Sequence, residues 1–167
     1  MIRRLPALIG LLLALAACDA PAAPRSGPST PPTGRYADTL HRVPVSEEDG
    51  RKRAIVMRVC HPPGQAGPAP LVVLNHGSPG TPEARRRMQP YMCESGAVQW
   101  FLARGYVAAI PLRRGYGADN GAWSETYGRC ETPDFVAAGR ETARDIAAAL
   151  AYARGLPEVD AGTGALV

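Results

Sequence analysis

The sequence predicts an α/β fold, with an antiparallel hairpin leading into parallel strands with flanking helices. Three observations carry this. Leu71-Val72-Val73-Leu74 is an unbroken apolar run between Pro70 and a Gly/Pro-rich loop, the pattern of a strand buried on both faces of a parallel sheet. Tyr106 to Leu112 is a second such run. Helical patterns lie between and after them, so strand and helix alternate, as in layered α/β domains.

The elements follow in order. Thr39 to Val45 and Arg53 to Cys60 are strand-like and flank a polar turn containing Asp49-Gly50, which predicts a hairpin. A Pro/Gly loop, Pro62 to Pro70, leads into the strand at Leu71. Ser95 to Arg104 sets Ala97, Val98, Phe101 and Leu102 on one helical face, with Gly105 as the stop. Thr132-Pro133 supplies an N-cap and first-turn proline for a helix from Asp134 to about Arg154. Its predicted core stripe is Val136, Gly139, Ala143, Ile146, Leu150 and Ala153, and Gly155 and Pro157 end it. Ala165-Leu166-Val167 begins a further strand.

Composition narrows the classes. With 167 residues, 46% hydrophobic and 20% charged, the chain suits one globular domain. The net charge of +4 comes from scattered arginines, Lys52 being the sole lysine. No basic helix or aromatic platform accompanies it, which argues against nucleic-acid binding. Arg3 and Arg4 precede an apolar stretch from Leu8 to Ala17, a leader too short to span a bilayer as an ordinary helix. Its end, Leu15-Ala16-Ala17-Cys18, resembles a bacterial lipobox, which implies export and a lipid anchor at Cys18; a plain secretory leader is the alternative. Asp19 after that cysteine fits inner-membrane retention. Residues 19–35 read as a flexible Pro/Ala-rich tether, and residues 36–167 as the globular part.

Export makes disulfides permissible. Of Cys60, Cys93 and Cys130, the pairing favoured is Cys93–Cys130, with Cys60 a buried thiol and three unpaired cysteines as the alternative. His41, His61 and His76 are dispersed and no C-x-x-C occurs, so no metal and no cofactor is expected.

The turn His76-Gly77-Ser78-Pro79-Gly80 after the apolar strand resembles the oxyanion-hole loop of the α/β-hydrolase superfamily, nearest to its dienelactone hydrolase and prolyl oligopeptidase-like branch. That resemblance implies a serine hydrolase acting on an ester or amide of a small molecule or peptide. It assigns one oxyanion donor to the Ser78 N–H, within a loop shaped by His76 and Gly77. A second resemblance is Arg113-Arg114-Gly115-Tyr116-Gly117, after the fourth strand. It implies that Arg113, Arg114, Tyr116 and Trp123 lie on the substrate side, the arginines able to brace the loop. Ser78 is a poor nucleophile candidate, because His76 stands where an elbow has glycine. His76 is out of order for a general base, and Asp119, Glu125 and Asp134 for a triad acid.

No G-x-S-x-G occurs in the chain. The expectation is therefore the N-terminal part of the hydrolase, truncated before its nucleophile elbow and inactive by itself. A third strand left as a hydrophobic parallel edge, with poor solubility, is expected with it. The rival readings are a non-catalytic lipoprotein binding module and an acyltransferase of the same fold.

Overall fold

The computed structural model describes residues 36–118 and 120–167. The leader, Cys18, the tether and Asp119 lie outside the described residues.

Strands β1 (Asp38–Ser46) and β2 (Lys52–Cys60) form the hairpin, Ser46 facing Lys52. Its turn closes where the Gly50 N–H donates to the Glu47 carbonyl at 3.0 Å, with Gly50 at φ +82°. Strand β3 (Ala69–Val73) is followed by two short helices, α1 (Pro82–Arg86) and α2 (Gly96–Leu102). Then come β4 (Val107–Leu112), a two-residue ladder of β5 (Gly128–Arg129) with β6 (Thr132–Pro133), helix α3 (Phe135–Arg154) and β7 (Val159–Leu166). The main sheet is mixed and runs β1-β2-β4-β3-β7. β2 is antiparallel to β4, whereas β3 is parallel to both β4 and β7.

Alternation along the central strands fills both faces, because successive side chains in a strand point oppositely. Leu71 and Val73 of β3, with Val107 and Ala109 of β4, pack beside Ala149 and Ala153 of α3. Val72, Leu74, Ala108 and Ile110 join Val98 and Leu102 of α2 on the other face. Both layers are apolar and fully buried, which is why every residue of β4 is hydrophobic or proline.

Four expectations are corrected here. β3 is not an edge, since β7 pairs with it from Ala69 to Val73, with a register shift between Pro70 and Leu71. Gly164 suits that shift, because a Cβ there would come within 2.7 Å of the Leu71 carbonyl oxygen. Thr132-Pro133 does not open the long helix. Both residues are committed to the ladder with Gly128 and Arg129, so Asp134 becomes the N-cap, its carboxylate accepting from the Ala137 N–H at 2.8 Å.

The core stripe of α3 is also rotated. Asp145, Ala149 and Ala153 are its buried residues, of which Ala153 is as expected; Leu150 is partly buried against the same core, while Val136 is 65% exposed. Asp145 meets Arg114 just past the end of β4, and the small Ala149 and Ala153 lie on that same face.

Last, the disulfide joins Cys60 to Cys93, and Cys130 is free and exposed. Cys60 ends β2 and Cys93 precedes α2, both in the cluster around Val72 and Leu74 with Cα atoms 5.7 Å apart. Cys130 lies instead in the turn between β5 and β6. Peptide mapping under non-reducing conditions should recover Cys60 linked to Cys93, with Cys130 open to iodoacetamide. The bond closes a 33-residue separation, so Cys93→Ser should lower the unfolding free energy by about 3–4 kcal/mol. A Cys93–Cys130 peptide would contradict this assignment.

Candidate functional site

The chain leaves β3 through α1 and α2 to reach β4 on one side, then returns through α3 to β7 on the other. The strand order therefore reverses at β3. Open α/β sheets bind ligands outside the carboxyl ends of the strands at such a switch. The residues there are His76 to Gly80, of which Gly77, Ser78 and Gly80 are exposed.

Three side-chain contacts fix the backbone of this loop. The Arg113 Nη1 donates to the His76 carbonyl at 2.9 Å. His76 Nδ1 bonds the Gly77 carbonyl at 2.7 Å. Arg85 Nη1 donates to the Pro79 carbonyl at 3.2 Å. In a trans peptide the carbonyl and the following N–H point in opposite directions. Tying down these three carbonyls therefore turns the N–H groups of Gly77, Ser78 and Gly80 the other way. Among the described residues none of these N–H groups has a protein acceptor.

His76 is 6% exposed, and its ring nitrogens have distinct roles. The Arg113 backbone N–H donates to Nε2 at 3.2 Å. Nε2 is therefore the unprotonated nitrogen, and Nδ1 carries the hydrogen given to Gly77. Burial holds the ring below its ordinary pKa; the Gly77 carbonyl works against that and the Arg113 charge with it.

Behind the loop lies a buried polar network. Glu125 takes the Arg113 guanidinium in a two-toothed pair, through Nε and, at 3.1 Å, through Nη2. Burial opposes the Arg113 charge, but the hydrogen bonds and charge of Glu125 raise its pKa further still. Tyr116, 0% exposed, puts its hydroxyl 2.7 Å from Glu125 Oε2, 2.8 Å from Ser78 Oγ and 3.1 Å from Trp123 Nε1. The phenol has one hydrogen, and the carboxylate only accepts, so Tyr116 donates to Glu125. It accepts from Ser78 and Trp123, which fills its oxygen. The Tyr116 ring meets the His76 ring edge to face at 4.4 Å. Arg85 stacks over Trp123, 3.8 Å from the ring centre, which joins its hold on Pro79 to the same network.

Local backbone requirements explain the sequence here. Gly115 has φ +79°, and a Cβ on it would lie 2.1 Å from Trp123 Cα. Any side chain at Gly115 would therefore displace Trp123 from the network. Asn120 closes the end of β4, its Nδ2 donating to the Leu112 carbonyl at 2.6 Å. Its Oδ1 accepts from the Val56 N–H at 3.3 Å.

The structure thus brings Arg113, Tyr116 and Trp123 to the His76–Gly80 loop and carries Arg114 elsewhere. The Arg114 backbone and Nε donate to Asp145 at 2.8 and 2.6 Å, and Nη2 to Glu141 at 2.6 Å. Arg114 is 3% exposed and Asp145 0%. Sequence reasoning missed Glu125 as the partner of Arg113 and Tyr116, and Arg85 as a brace. Arg85 lies 6 residues from Pro79, and Glu125 lies 9 and 12 residues from Tyr116 and Arg113, spacings within irregular loops that no helix or strand period announces. A signal was present at Asp145, which opens the apolar run Ile146 to Leu150; a carboxylate on the packed side of a helix needs a charge or hydrogen-bond partner.

The sequence matches no protein-family model and no curated protein. What the fold and site define is an α/β domain with a mixed five-stranded sheet and a braced loop of outward-turned amides.

Removing Glu125 tests the brace. Glu125→Ala should lower the unfolding free energy in urea by about 3–5 kcal/mol, because it leaves the Arg113 cation buried without a partner. Glu125→Gln, which keeps one acceptor oxygen, should lose less. A loss below about 1 kcal/mol in both, the range of an exposed pair, would refute the brace.

Proposed function

We propose that residues 36–167 are the N-terminal part of an α/β-hydrolase domain in an exported serine hydrolase. The enzyme would cleave an ester or amide bond of a small molecule or peptide. The observation that carries this reading is the orientation of the Gly77–Ser78 peptide. His76 holds its carbonyl at 2.7 Å, so the Ser78 N–H faces outward at the carboxyl end of the central strand. Pre-aimed amides of this kind stabilise the oxyanion of a tetrahedral intermediate by about 3–4 kcal/mol per donor. The position of β3 between β4 and β7, as the resemblance implies for the third strand, supports the same reading.

In the mechanism, a serine attacks the substrate carbonyl while a histidine takes its proton. The carbonyl oxygen becomes an anion, received by the Ser78 N–H and by the amide following the nucleophile. This chain's share is to receive charge at the Ser78 N–H. The nucleophile, its histidine and its acid are assigned to sequence outside these 167 residues. Tyr116 and Trp123 back the loop, and the leader with Cys18 is assigned to export and lipid anchoring.

The test is fluorophosphonate labelling of the product of the complete reading frame. A label on a serine within G-x-S-x-G, with hydrolysis of a p-nitrophenyl ester, is the expected result. A frame that stops at Val167, no labelled serine, or a label on Ser78 itself would overturn the proposal. The first two outcomes would favour a binding module.

A further inference from the structure

We infer that His76 is a positioning residue that aims the Ser78 amide, and that protonating its ring disengages the loop. The functional meaning of this rests on the oxyanion reading above; the positioning itself does not. The Arg113 N–H occupies the lone pair of Nε2 at 3.2 Å, while Nδ1 donates to the Gly77 carbonyl at 2.7 Å. A proton on Nε2 would set two N–H groups against each other across that contact. The ring must then turn or withdraw, and the Gly77 carbonyl loses its donor. Nothing else described holds that carbonyl, so the Gly77–Ser78 peptide becomes free to rotate.

The charges around the ring come from every segment packed on it. Arg113 sits on the His76 carbonyl, and Arg85 holds Pro79 from α1. Besides the Gly77 carbonyl, Glu125 favours an imidazolium. Its two oxygens, however, are already taken by Arg113 and by the Tyr116 hydroxyl. The uncharged Tyr116 ring lies edge-on at 4.4 Å. Burial, with Arg113 behind it, puts the folded ring's pKa below the ordinary 6.5. The unfolded chain therefore takes up its proton first as pH falls. The stability contributed by the neutral ring is whole above about 6.5 and is lost as pH drops toward the folded value. Loop release belongs to that acid window, not to neutral pH. In an assembled hydrolase it would add an acid limb to kcat set by a residue outside the triad.

The test is NMR titration of the ¹⁵N-labelled 167-residue chain from pH 8 to pH 4. The His76 ring should show the Nδ1–H tautomer at pH 8. The Ser78 amide should shift with the same midpoint as the ring, at a pH below 6.5. His41, which bonds Thr39 and Tyr152 between β1 and α3, is the internal control, and its titration should leave Ser78 unmoved. His76→Asn offers an N–H near the Nδ1 position without titrating. It should keep the neutral-pH Ser78 resonance and abolish the acid transition, whereas His76→Ala should displace that resonance at every pH. A Ser78 amide indifferent to His76 titration, or an Nε2–H tautomer, would overturn the inference, and the wild-type titration alone decides it. If Ser78 follows His76 in a protein that hydrolyses no ester, the positioning stands and the hydrolase reading falls. An active hydrolase whose Ser78 ignores His76 gives the reverse.

Discussion

The guanidinium of Arg113 is the point on which the site depends. One side chain, 4% exposed, joins three segments distant in sequence: the end of β4, the loop after β3 through the His76 carbonyl, and the Glu125 segment. A buried cation of this kind is costly unless every donor has an acceptor of good geometry. Each of the three Arg113 guanidinium nitrogens has an acceptor, two on a carboxylate and one on a carbonyl, while its own backbone N–H serves the His76 ring. The Glu125 carboxylate is shared with Tyr116, and Tyr116 with Ser78 and Trp123. The outward turn of the Gly77 amide follows from the same bond that satisfies the buried charge, while the His76 ring turns the Ser78 amide and Arg85 the Gly80 amide. Stability and site geometry are one network here.

Arg114 shows how adjacent residues can serve separate ends. Its partners are Asp145 and Glu141 on α3, together with a longer contact to Glu47 at the hairpin turn. The face of α3 that meets the sheet is the one that carries these contacts. It presents Ala149 and Ala153 inward and leaves Phe135 and Val136 exposed. Hydrophobic periodicity alone favours Val136 and Ile146 as core positions. The face that turns inward instead carries a buried ion pair, in which burial raises the Asp145 pKa against the hydrogen bonds and charge of Arg114.

Much of the fold was legible in the sequence because it rests on local rules. Unbroken apolar runs at Leu71 and Val107 announced strands buried on both faces, and Asp49-Gly50 announced the hairpin turn. The positions of His76-Gly77 and of Arg113 were also legible. What the sequence did not disclose were choices made between distant residues. Cys93 pairs with Cys60 rather than Cys130 because both belong to the cluster around Val72 and Leu74, and no spacing encodes that. Asp134 rather than Thr132 caps α3 because Thr132 is claimed by a ladder with Arg129. Glu125 was legible only as an acid in the wrong order for a triad. Its use as a charge partner depends on a turn that Gly115 allows.

The most direct measurement of the central claim is native-state amide exchange on the Arg113→Lys variant. Lysine keeps the positive charge but loses the planar fork that spans Glu125 and the His76 carbonyl. If Arg113 is the brace, the Arg113 amide, protected in the wild type by His76 Nε2, should exchange markedly faster in the variant. The amides of Val72, Val73, Ala108 and Ala109 in the core strands should keep their protection. Unchanged exchange at Arg113, or a uniform loss across loop and core strands, would contradict the account.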